Sequence, residues 1–149
     1  MRLDEAFENI ITSIEKKLSE ATAEGELLHG VESVVRGDRA RPRPPTPAIW
    51  IFAEQANPAH EPTTIRERWT LPVVLTAIYQ ADDPEEGYRR SSEFAAKARS
   101  VVLQDRSLGY RDFVQDTRSG RFEPSGPWHT EGRLYGAVAV IEVTFIIKE

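Results

Sequence analysis

The stretch Leu134–Lys148 reads Leu-Tyr-Gly-Ala-Val-Ala-Val-Ile-Glu-Val-Thr-Phe-Ile-Ile-Lys, and it constrains the fold more than any other part of the chain. Its β-branched and aromatic content predicts a strand. Side chains on a strand alternate between faces, so Leu134, Val138, Val140, Thr144 and Ile146 point one way. Tyr135, Ala137, Ala139, Ile141, Val143, Phe145 and Ile147 point the other. Both sets are apolar, which requires an interior strand or one with a face covered by another subunit. Glu142 breaks the run. A carboxylate buried without a partner is costly, so it is expected at a sheet margin or an interface.

A second unit runs from Arg66 to Leu103. Trp69, Leu71, Val73, Leu75, Ala77 and Tyr79 alternate along a strand with one buried face, opposite a mixed face of Thr70, Val74, Thr76 and Ile78. Pro72 lacks a ladder donor and predicts an edge, a bulge or a bend. The chain then reads Asp82-Asp83-Pro84-Glu85-Glu86, an acidic cap, a proline in the first helical position and two first-turn carboxylates. That pattern starts a helix. Tyr88, Ser91, Phe94, Ala95, Ala98, Val101 and Val102 form its apolar stripe; Arg89, Arg90, Glu93, Lys97 and Ser100 take the solvent side.

The remaining elements follow by the same rules. Leu3 to Ala21 carries a core-facing helical stripe of Leu3, Phe7, Ile10, Ile11, Ile14, Leu18 and Ala21, with Gly25 at or beyond its end. Val31 to Arg36 is a short strand. Arg39 to Pro47 holds four prolines, so it is read as an extended, polyproline-like loop made locally basic by Arg39, Arg41 and Arg43. It serves as a solvated connector, as an arm that meets an acidic partner, or as a proline-rich ligand. Ala48 to Gln55 is a strand apolar on both faces. Ala56 to Thr64 carries turn signals and joins it to the Arg66 strand as a wide antiparallel hairpin. Gln104 to Tyr110 is a polar turn, and Phe113 and Val114 begin a weak strand. Gln115 to Trp128, rich in glycine, proline and charge, is expected to be a second long loop or a flexible hairpin. It displays Arg118, Arg121 and Trp128, the tryptophan as a cap on the core edge or as an interface anchor.

These elements predict one α+β domain over residues 1–149, a mainly antiparallel sheet with two helices packed on one face, and long loops. Composition narrows the function classes. The chain has no cysteine, which excludes disulfides, thiolate catalysis and thiolate metal sites. A net charge of -5 argues against a general nucleic-acid binder, and sequence-specific nucleic-acid recognition is not expected. No apolar run approaches the ~18 residues of a membrane span, and the acidic start of the chain is unlike a signal peptide, so a protein that stays in the cytosol, or in something assembled there, is expected.

The search for chemistry finds no catalytic, cofactor or metal residue. His29, His60 and His129 each fall in a predicted loop and share no ligand spacing. The Asp82–Glu86 acids are explained as a helix start. No phosphate-cradling glycine loop and no nucleophile elbow occurs. An enzyme is not expected; its revival would need a deep pocket lined by His60 or His129 with a carboxylate.

The order of elements resembles that of the tail terminator, or tail completion, proteins of long-tailed bacteriophages, the minor tail protein U type. The resemblance rests on the first helix ending near Ala23, Ile49-Trp50-Ile51-Phe52, the long strand ending Leu75-Thr-Ala-Ile-Tyr79, the Asp-Asp-Pro-Glu-Glu-Gly-Tyr helix start, and Val138-Ala-Val-Ile-Glu-Val-Thr-Phe145. The Arg39–Pro47 loop departs from that pattern. The resemblance implies a non-enzymatic protein that forms a homo-hexameric ring and caps the tail tube. It also implies that the ring meets a head-completion or connector protein, at the head–tail junction of a virion assembled in host cytoplasm. Such a ring needs contacts between unlike surfaces, for which Arg39, Arg41, Arg43, Arg118, Arg121, Trp128 and Glu142 are the candidates. Another neck or head-completion protein is the nearest alternative. A small-molecule-binding or enzymatic α+β domain is the alternative from a different class.

Overall fold

The computed structural model describes residues 1–37, 45–59, 66–128 and 133–148. Helix α1 spans Leu3–Glu20 and helix α2 spans Pro84–Leu103. The strands are β1 (Ser33–Arg36), β2 (Ala48–Ala53), β3 (Asn57–Pro58), β4 (Arg66–Gln80), β5 (Val114–Trp128) and β6 (Leu134–Lys148). They form one six-stranded sheet in the order β1-β2-β4-β6-β5, with β3 pairing beside β2 on β4. All pairings are antiparallel except β1 with β2.

Both helices pack on one face, as their stripes require. α1 buries Ala6, Ile10, Ile11, Ile14 and Leu18. α2 buries Gly87, Ser91, Phe94, Ala95, Ala98, Val101 and Val102. Its start follows the expectation: Asp83 accepts a hydrogen bond from the Glu85 backbone N–H at 3.2 Å, ahead of Pro84. Beneath the helices lie Ile49 and Ile51 of β2, Leu71 to Ala77 at alternate positions of β4, and Ala137 to Ile147 at alternate positions of β6. Phe7 of α1 meets Phe145 of β6 edge-on, with ring centroids 5.8 Å apart. β6 is interior, flanked over its length by β4 and β5.

Two expectations are corrected. Gln115–Trp128 is neither a loop nor a hairpin folded on itself: with Val114 it forms the long edge strand β5, paired antiparallel with β6. An edge strand completes a single ladder, so glycine and proline are tolerated there. Three register shifts, at Val114/Asp116, Ser119/Phe122 and Ser125/Trp128, absorb the irregular residues. Of the two places expected for Glu142, a sheet margin or an interface, the margin is excluded: it stands mid-strand between Pro72 of β4 and Arg118 of β5.

Pro72 is a subtler case. β4 is interior, yet the Pro72 carbonyl accepts from the Glu54 N–H at 2.9 Å, just where β2 has ended and before β3 begins. A residue's N–H and C=O point to the same side of a strand, so the missing donor faces Glu54, just past the end of β2, and only the reciprocal bond to Glu54 is lost.

Candidate functional site

The sheet face opposite the helices is the surface the fold leaves for other work. Register fixes its membership: Phe52 stands beside Val74 and Val140, Trp50 beside Thr76 and Val138, and Ala48 beside Ile78 and Gly136. Further along, Pro72 meets Glu142 and Thr70 meets Thr144. No helix among the described residues packs there. The face is nonetheless largely apolar. Phe52 is 38% exposed, whereas Val140, at 3%, is sealed by its own neighbours. The Phe52 ring lies against Gly37, where a β-carbon would collide with it, and tilts on Trp50 at 5.8 Å between centroids. The buried indole N–H of Trp50 has no acceptor among the described residues.

Charged side chains frame this face in matched pairs. Arg118 of β5 donates to Glu142 of β6 at 2.9 Å, a directly opposed cross-strand pair. One bulge further, Gly120 and Arg121 together oppose Val140, which turns both toward the open face. Arg121 contacts Glu54 at 3.0 Å and Glu123 at 3.4 Å. Since β6 and β4 lie between β5 and β2, the Arg121–Glu54 pair bridges the open face over both strands. The hydrogen bond that Arg121 donates to Glu54, with the negative charge of that carboxylate, raises the Arg121 pKa further above its already high value. Arg68 of β4 donates to Gln115 at 3.0 Å.

Of the residues singled out from sequence, the fold brings Arg118, Arg121 and Glu142 onto one surface. Trp128 pairs through its backbone with Leu134. Arg39, Arg41 and Arg43, together with His60 and His129, lie outside the described residues. His29 sits exposed in the turn after α1. Sequence reasoning missed Glu54, Phe52 and Trp50; the one available signal was that Ala48–Gln55 is apolar on both faces.

The arrangement suits recognition. It offers a broad surface with fixed guanidinium and carboxylate positions around an apolar centre, the composition of a protein interface.

No family model and no curated protein matches the sequence. Among solved structures, a chain of "Virion of native gene transfer agent (GTA) particle" shares the fold with a TM-score of 0.63. It is 12% identical, and the match covers 91% of this chain and 93% of that one.

Proposed function

We propose that the chain is a non-enzymatic structural protein of a phage-type virion. In this reading it caps the tail tube as a homo-oligomeric ring, a hexamer, and joins the tail to a head-completion or connector protein. It would act at the head–tail junction after assembly in host cytoplasm. The observation that carries the virion role is the nearly end-to-end fold likeness to a chain of a gene transfer agent virion. The open sheet face supports it, because an apolar surface framed by ion pairs suits a subunit whose sheet is completed by neighbours. The tail-terminator position rests on the element order that carries the family resemblance: helix, Ile49–Phe52 strand, long strand to Tyr79, Asp83-capped helix and closing strand. A different neck or head-completion protein is the second reading, since the virion likeness favours it equally.

The test is complementation. Purified protein added to an extract that makes overlong, unterminated tubes is expected to restore tubes of uniform length that join heads. Unchanged tubes would sink the terminator assignment. Repair of heads deficient in completion protein, with no effect on tubes, would move the chain to the second reading. In the presence of tubes, the ring predicts a particle near six times the 16.8 kDa subunit mass.

A further inference from the structure

The helical layer carries a groove of about 350 Å³ between the last turn of α1 and the last turn of α2. Its apolar wall is Ala21, Leu27 and Val101, and Leu27 is 43% exposed although a leucine. Around that wall stand the carboxylates of Glu20, Glu26 and Asp105. Among the described residues Lys17 is the one cation lining the groove, and it is engaged with Asp105 at 3.5 Å; Lys16, outside the groove, reaches Glu20 at 4.0 Å in an exposed pair. Both helices present their carboxyl ends here, each the negative pole of its dipole, and α2 has no basic residue in its last turn. The groove therefore combines an apolar wall with a surplus of negative charge. An arginine fits both, with its methylene stem on the wall and its guanidinium on the carboxylates.

The chain supplies its own complement. On a protein of net charge -5, Arg39, Arg41 and Arg43 alternate with other residues in Arg-Ala-Arg-Pro-Arg-Pro-Pro. Prolines restrict such a segment before binding, which lowers the entropy lost on docking. We propose that the groove at the carboxyl ends of α1 and α2 binds the arginine–proline segment of a neighbouring copy of this chain. Segment and groove are different surfaces, so the contact is heterologous, the kind that closes a ring when the rotation between subunits permits. The proposal rests on the ring reading and assigns it one specific contact.

Two measurements test it. A fluorescein-labelled synthetic peptide covering residues 36–47, titrated with the full-length chain at low ionic strength, is expected to bind saturably. Affinity should fall roughly tenfold or more in the Glu20→Lys/Glu26→Lys variant and fall likewise with added salt. Both glutamates are exposed, so this variant is expected to keep the wild-type circular dichroism and melting temperature. Peptide binding that is absent, or that is unaffected by the variant, overturns the groove as receptor whatever the oligomeric state.

The second measurement is particle mass in the presence of tubes. Arg39→Glu/Arg41→Glu/Arg43→Glu and Glu20→Lys/Glu26→Lys should each abolish the ring alone, and an equimolar mixture of the two should restore it. A ring that survives both variants overturns the contact while leaving the ring reading intact. Rescue only when both sets of changes share one chain places the segment in its own groove and overturns the neighbouring copy as occupant. A wild-type chain that stays monomeric on tubes overturns the ring reading, and with it the neighbour; the peptide titration is read independently of that result.

Discussion

Glu142 illustrates what a single residue can do in an apolar strand. Its side chain is 34% exposed, and Arg118, directly opposite, donates to it at 2.9 Å, so the charge is answered without being fully desolvated. Pairs of this kind contribute little to stability, because solvent screens them and two long side chains must be held still. A double-mutant cycle of Arg118→Ala and Glu142→Ala, followed by urea unfolding, is expected to give a coupling of about 0.5–1 kcal/mol. Asp105 acts differently. Hydrogen bonds from the Ser107 hydroxyl at 2.7 Å and the Ser107 N–H at 3.1 Å, then the nearby Lys17, hold its pKa below the ordinary aspartate value. A carboxyl depressed in the folded state stabilises it above the unfolded pKa, and that contribution disappears as pH falls through the folded value. Stability measured by urea unfolding should therefore decline as pH drops below about 4, and Asp105→Asn should make that decline shallower.

At the scale of elements, β5 and α2 show opposite relations between local signals and structure. The segment Gln115–Trp128 contains the residues that usually mark turns, yet it is a strand because β6 beside it offers a full ladder of backbone partners. Gly120 sits where two β5 residues oppose Val140, and a β-carbon there would lie 3.2 Å from the Val140 carbonyl oxygen. The same irregularities twist and interrupt the free edge, which protects a long edge strand from indiscriminate pairing. In α2, the Asp83 cap is fully local and was readable. Gly87 is not: its absent side chain admits the ring of Tyr135, which in turn meets Tyr88 at 4.9 Å between centroids. Gly87→Ala would gain about 1 kcal/mol of helix propensity. The collision with a buried ring costs about 1–3 kcal/mol, so the variant is expected to melt below wild type in calorimetry. An unchanged or raised melting temperature would show that Tyr135 can shift freely.

The whole molecule is a one-sided sandwich. Helices cover one face of the sheet and pack a continuous core there, while the other face displays Trp50, Phe52, Val74 and Val138 within a frame of ion pairs. If that face is where neighbours in the virion meet, it should be separable from folding. Phe52→Ser removes a partly exposed ring that packs on Gly37 and Trp50, so it is expected to lower stability by about 1–2 kcal/mol without unfolding the chain. The same change should markedly reduce tube termination in the complementation assay. Normal termination by the folded variant would exclude this part of the face from the assembly contacts.

Elements with strong periodicity were legible from the sequence: both helices, the Asp83 start of α2, the long strand β4, the doubly apolar β6, and hence the α+β class. Apolar alternation and capping act over a few residues, so they leave their mark on any short window of the chain. The pairing of Arg121 with Glu54 across two strands was not legible, nor was the conversion of a glycine- and proline-rich stretch into an edge strand. The meeting of the α1 and α2 carboxyl ends around Leu27 was equally hidden. Each depends on register and on chain segments far apart in sequence, which only the assembled sheet and its helices bring together. The sequence alone determined which segments needed burial; the tertiary structure decided which apolar face the helices covered and which they left open.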